Sequence, residues 1–174
     1  MQWSELLSLI GSTPSARVCI DSRAVQAGDI FVAIKGSQSD GHAFIEKARA
    51  QGAGTIVCSE RAYAGPDTIM VDNPARAAAL LAQAAQGNPG AKLTNLAVTG
   101  TNGKTTVTYL VRSCMQAAGQ SCGLIGTIGY HTGQHECAAP LTTPDCLTIA
   151  QQQAQMVEAA AQAMVIEASS HALV

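Results

Sequence analysis

The segment Gly100-Thr101-Asn102-Gly103-Lys104-Thr105-Thr106 lies between a short apolar run, residues 95–98, and a long stretch of helical apolar spacing. A strand that turns through a glycine-containing loop into a helix is a building unit of parallel α/β sheets. Glycines let main-chain N–H groups turn inward around an anion. The helix N-terminus adds unpaired N–H donors and a positive dipole end. Lys104 supplies a point charge for the β- and γ-phosphates of a nucleotide, and the Thr105 hydroxyl is an oxygen ligand suited to Mg²⁺. The pattern is the short G-x-x-G-K-T form, because the longer phosphate-loop spacing needs glycine where Val98 stands. The bland alternative, a turn that contains Gly-Lys by chance, does not account for the flanking strand and helix.

The chain upstream of this loop alternates in the same way. Trp3, Leu6, Leu7 and Ile10 have helical spacing. Residues 16–23, 29–36, 54–60 and 68–72 read as strands, residues 42–53 and 75–87 as helices. Asn, Pro and Gly cluster in residues 88–95, the best linker candidate. After the loop, Val107, Leu110, Val111, Cys114, Met115 and Ala118 form one helical stripe, expected to face a core. Residues 121–130 read as one strand, 131–140 as a hairpin or loop, 142–161 as a helix and 163–170 as a final strand. Thr143 is the expected N-cap of that helix, with Pro144 at its first position and Asp145 at the positive dipole end. Alternation in both halves predicts two parallel sheets. Only a few residues follow the last strand, and an open parallel sheet needs both faces covered, so the expectation is a chain cut inside its second domain.

Charge and composition narrow the function classes. The chain has 174 residues, with 10 Lys and Arg against 12 Asp and Glu, a net charge of −2. That balance and an aromatic content of 3% argue against a nucleic-acid binder. The six cysteines (19, 58, 114, 122, 137 and 146) contain no C-x-x-C pair, so a zinc ribbon or a disulfide scaffold is not expected; reduced, packed thiols are. No basic stretch precedes an apolar run at the N-terminus, and no apolar run approaches the ~18 residues of a membrane span, so a cytoplasmic location without membrane insertion is the expectation.

Glu167 is the second chemical candidate. An acid at the end of the apolar run Ala163–Glu167 is placed to hold Mg²⁺, directly or through water, if the phosphate loop shares its sheet; alone it would read as a solvated strand end. Ser169, Ser170 and His171 lack a G-x-S-x-G setting, so a serine nucleophile is not indicated. His42, His131 and His135 share no metal-ligand spacing, and the last two read as solvated loop positions. Thr142 stands where it could face a phosphate or an amide.

Four motifs, TGTNGKTT at 99–106, LIGTIGY at 124–130, LTTPD at 141–145 and IEASSHAL at 166–173, resemble the central ATPase domain of the Mur ligases. Residues 21–36, 39–53 and the Val57–Glu60 strand resemble the N-terminal domain of the members that add the third residue or the terminal dipeptide, and the GTNGKTT, TTP and SSHAL set fits the third-residue branch. The resemblance implies an α/β chain: a small N-terminal α/β substrate domain, 1–88, binding a UDP substrate, then a truncated P-loop parallel-sheet ATPase domain, 89–174, with the C-terminal domain absent. It implies peptidoglycan precursor synthesis. ATP phosphorylates the free carboxylate of UDP-MurNAc-L-Ala-D-Glu, and the amine of meso-diaminopimelate or L-lysine attacks the acyl phosphate to give amide, ADP and phosphate. Gly100, Thr101, Asn102, Gly103, Lys104, Thr105 and Thr106 would hold ATP, with Lys104 and Glu167 as the catalytic pair and Thr105 and Glu167 on Mg²⁺. Ser22, Ser37, Gln38 and Ser39 would contact UDP, and Thr142, Thr143 and Ser169 the muramoyl peptide. Leu141 stands where some relatives carry Asn, so any contact of that amide is missing. The family's carbamylated lysine and its DNPR-type amino-acid selector have no counterpart; Asp72-Asn73-Pro74-Ala75-Arg76 reads as a helix entry instead. The resemblance thus predicts a monomer with family chemistry in the parent protein and little ligase activity alone. Two alternatives remain open at this stage: a non-catalytic nucleotide- or UDP-sugar-binding module, and the branch that adds D-Ala-D-Ala.

Overall fold

The computed structural model describes residues 3–12, 17–36, 39–133 and 135–170. They form two compact units, Met1–Gly87 and Asn88–Val174. In the first, β1 (Val18–Cys19), β2 (Ile30–Val32), β3 (Thr55–Cys58) and β4 (Thr68–Met70) pair in chain order, every pair parallel. Strand pleating sends alternate residues to opposite faces. Phe31, Ile56 and Cys58 join Ile45 and Ala48 of α2 (Ile45–Ala50) in one core, while α3 (Pro74–Ala85), which also packs on α1 (Trp3–Ser12), lies against β1, β2 and β3. Residues 72–76 enter α3 as expected: the Asn73 side chain accepts from the Arg76 amide at 2.9 Å, and Pro74 begins the helix.

The second unit contains β5 (Thr94–Val98), α4 (Lys104–Ala117), β6 (Cys122–Ile125), β7 (Gly129–His131), β8 (Glu136–Ala138), α5 (Cys146–Glu158) and β9 (Ala163–Glu167). Its strand order is β5-β9-β6-β7-β8. The last strand is inserted between β5 and β6, parallel to both, and the register sets Glu167 beside Val98. Tyr109, Val111 and Met115 of α4 pack over Cys122, Leu124, Ala163 and Val165, while Met156 and Val157 of α5 join Ile125, Tyr130 and Met164 in a separate core.

Several expectations change here. This sheet is mixed, because β7 and β8 pair antiparallel. Residues 121–130 are two strands, broken where the Gly126 amide bonds the Gly129 carbonyl at 3.2 Å. On α4, Val107, Leu110 and Cys114 are exposed, and Thr108 is fully buried, so the inward face is rotated from the apolar stripe. The α5 N-cap is Asp145, whose carboxylate accepts from the Thr148 amide at 2.8 Å, and not Thr143. His131 is buried in β7 rather than solvated. Of the free cysteines, Cys19, Cys58 and Cys122 are packed inside, but Cys114 and Cys137 are exposed. No helix among the described residues is long and apolar enough to cross a membrane.

Candidate functional site

Gly100 and Gly103 have φ of 142° and 78°, values open to glycine and strained for other residues. They turn the chain from β5 into α4, whose N-cap, Gly103, offers no side-chain cap. Among the described residues, the amides of Thr101 through Thr106 find no main-chain acceptor; the first such bond is from the Val107 amide to the Gly103 carbonyl, at 2.9 Å. These are the orphan donors of a helix start, left open to an anion. Lys104 folds back over the loop, its Nζ donating to the Gly100 carbonyl at 2.8 Å. A hollow of about 400 Å³ is lined by residues 101–106 together with Thr127, Thr142, Glu167 and Ser169.

Glu167 closes the floor of the hollow with 1% of its surface exposed. No ion pair among the described residues includes it. Its Oε2 accepts from Thr105 Oγ1 at 2.9 Å and from Thr127 Oγ1 at 3.1 Å, and its Oε1 from the Thr127 amide at 3.0 Å. A buried carboxylate without a cation must be met by such donors, since desolvation otherwise costs several kcal/mol. Gly126 permits this approach, because a Cβ there would stand 2.3 Å from Glu167 Oε1. Sequence reasoning missed Gly126 and Thr127. The signal was the Gly-Thr step directly after an apolar strand.

Thr142 lies beside Thr127, with hydroxyl oxygens 3.1 Å apart. Thr143 does not line the hollow. Its hydroxyl donates to the Glu167 carbonyl at 2.7 Å and accepts from the Ser169 amide at 3.0 Å, pinning residues 142–145 to the end of β9. Cys146, next in the chain to Asp145, is no thiolate: burial first, and the Asp145 charge second, push it up to about 11.

Ser22 and Ser39 belong to the first unit. Ser22 is buried in the turn Ser22–Ala24, and the Ser39 carbonyl accepts from the Gly36 amide at 2.9 Å. Ser37, Gln38 and His171 lie outside the described residues. His42 does gain neighbours: one ligand atom each of Asp40, His42 and Glu60 lies within 4.8 Å of the others. Its Nδ1 meets Asp40 Oδ1 at 2.7 Å and its Nε2 accepts from the Ser59 amide at 3.2 Å, so both ring nitrogens are engaged within the fold. A larger hollow, about 730 Å³, is lined by Thr132, Cys137, Gln152 and Glu158. Its acid, Glu158, is exposed, so chemistry favours the smaller one.

Two family models cover the chain between them: one described as the Mur ligase middle domain matches residues 98–174, and one described as the Mur ligase family, catalytic domain, matches residues 16–99. The chain belongs to the Mur ligase family. Among curated Mur ligases it is 42% identical over 88% of its length to the UDP-N-acetylmuramoyl-L-alanyl-D-glutamate–2,6-diaminopimelate ligase of Bacillus cereus. It is 43% identical over 90% of its length to the protein of that name from Lawsonia intracellularis. It spans 31% and 33% of these relatives, about a third of their length. A solved Mur ligase described by the same activity superimposes with a TM-score of 0.70 at 28% identity, covering 90% of this chain and 32% of that one. The MurF ligase of Thermotoga maritima, solved in complex with ADP, superimposes at 0.57 and 23% identity, over 90% of this chain and 33% of that one, a likeness of fold.

Proposed function

We propose that this chain carries the ATP-phosphate site of a ligase that joins a diamino acid to UDP-MurNAc-L-Ala-D-Glu. The observation that carries this reading is the hollow at the start of α4, where unbonded amides, Lys104 and the buried Glu167 converge. The names of relatives near 40% identity favour diaminopimelate as the diamino acid. Residues 1–88 are then the UDP-substrate domain and residues 89–174 part of the ATPase domain.

A carboxylate is a poor electrophile, and transfer of the γ-phosphoryl group to it supplies a leaving group. The work of the site is therefore positioning and charge neutralisation. The amides of Thr101 to Thr106 and the α4 N-terminus receive the phosphate oxygens. Lys104 exchanges its bond to the Gly100 carbonyl for a charge-assisted bond to phosphate. Beside the Thr127 amide, the Glu167 carboxylate is met by the hydroxyl oxygens of Thr105 and Thr127, hard oxygen groups of the kind Mg²⁺ takes as ligands. Thr105 and Glu167 would hold that ion, whose chemistry is to neutralise charge on the transferring phosphoryl group. Thr142 and Ser169 face the hollow and would meet the muramoyl peptide, while Thr143 positions them. Ser22, Ser37, Gln38 and Ser39 would contact UDP.

Titration with a fluorescent ATP analogue in Mg²⁺ tests this. The chain binds it, and Lys104→Ala weakens binding by roughly tenfold or more, the scale of a lost charge-assisted bond. Equal affinity in the two proteins would remove the phosphate site. Thermal shift by UDP-MurNAc-L-Ala-D-Glu, compared with UDP alone, tests the first unit; no stabilisation by either would detach the UDP assignment.

A further inference from the structure

Thr127 reaches both oxygens of the Glu167 carboxylate, the amide at 3.0 Å on Oε1 and the hydroxyl at 3.1 Å on Oε2. An ionised carboxylate only accepts, so the single hydroxyl proton of Thr127 goes to Glu167. The 3.1 Å contact between Thr127 and Thr142 must then run with Thr142 as the donor. The hydroxyls thus form a directed chain, Thr142 to Thr127 to Glu167. Thr105 donates to Oε2 as well, at 2.9 Å. A cation held by Thr105 takes an oxygen lone pair and requires the Thr105 proton to turn away from it. Thr127 reaches the carboxylate through both its amide and its hydroxyl and is not itself one of the expected cation ligands.

We propose that Thr127 is a positioning residue: it holds the Glu167 carboxylate with Oε2 toward Thr105 and so sets the affinity of the hollow for a divalent cation. This rests on the reading that Thr105 and Glu167 hold the cation. Gly126 belongs to the same device, since any side chain there would displace Oε1. Thr127 is exposed, so replacing it opens no core.

The test titrates a fluorescent ATP analogue into the chain in Mn²⁺ and in EDTA, with the ratio of the two affinities as readout; Mn²⁺ takes the same oxygen ligands as Mg²⁺. In wild type, Mn²⁺ strengthens binding. Glu167→Gln removes the enhancement. Thr127→Val lowers it by roughly tenfold, the usual effect of losing a group that orients a metal ligand. Thr127→Ser stays within about twofold of wild type, as expected where the hydroxyl alone matters. No enhancement in wild type, or an unchanged one in Glu167→Gln, sinks the cation reading and the proposal with it. Loss in Glu167→Gln with an unchanged ratio in Thr127→Val, or equal losses in the valine and serine variants, overturns the role of Thr127 alone.

Discussion

At the residue scale the demanding group is Glu167, a buried carboxylate whose described partners are the hydroxyls of Thr105 and Thr127 and the Thr127 amide. Its surroundings leave no room for adjustment. In Gly126→Ala the new Cβ would stand 2.3 Å from Oε1 and 3.0 Å from the carboxyl carbon, and the carboxylate is tied by Thr105 and Thr127. Overpacking against a fixed group costs about 1–3 kcal/mol. Urea denaturation is expected to show that loss, and stability within about 0.5 kcal/mol of wild type, the range of an ordinary surface change, would mean the carboxylate moves freely. The residues of the loop were legible because their chemistry is local: Gly100, Gly103, Lys104 and Thr105 are neighbours in sequence. Thr127 was not, because its partner is 40 positions away and nothing in a Gly-Thr step says which acid it meets.

At the scale of elements, most helices and strands were readable from period and punctuation, and the departures have specific causes. The α4 stripe misled because apolarity was taken to mark the inward face. Thr108 can be buried because its hydroxyl donates to the Thr105 carbonyl at 2.8 Å, within the helix. The contacts with β6 and β9 then turn Tyr109, Val111 and Met115 inward. The start of α5 misled because Thr143, Pro144 and Asp145 all suit a helix entry. The long-range bonds of Thr143 to Glu167 and Ser169 decide it, leaving the cap to Asp145. Asp145→Ala is therefore expected to destabilise the second unit by about 1 kcal/mol and Asp145→Asn by much less. Far-UV circular dichroism during urea unfolding measures both; an alanine variant as stable as wild type would show that Thr148 needs no partner.

At the scale of the whole molecule, the alternation of strands and helices was legible and the order of strands was not. Nothing local in residues 163–167 says that they enter between β5 and β6, yet that insertion brings Glu167 to the phosphate loop. The fold also combines two kinds of titrating group with separate acid ranges. His131, with Tyr109 Oη at 3.0 Å and Arg112 and Glu136 nearby, is held below its ordinary value of 6.5, first by burial and then by Arg112, against a smaller opposite pull from Glu136. The unfolded chain therefore takes this proton more readily than the folded one. Stability falls as pH drops below 6.5 and levels off once the folded histidine is also charged. Asp67 behaves differently. The Arg49 guanidinium meets both its oxygens, at 2.9 and 3.0 Å, and holds it below 3.8. That stabilisation is present above 3.8 and is lost as pH falls through the folded value. Asp21, lowered to about 2 by Arg23, is an exposed group whose pair adds little. Melting temperature measured from pH 8 downward should thus begin to fall below 6.5, the first stage, and fall again below 3.8, the second. His131→Gln should remove most of the first stage and spare the second; Arg49→Met should shrink the second, by about 1 kcal/mol for a partly exposed bidentate pair, and spare the first. An unchanged decline just below pH 6.5 in His131→Gln would show that the proton taken up there belongs to another group, and that the Tyr109–His131 contact between α4 and β7 carries no pH-dependent share of the stability.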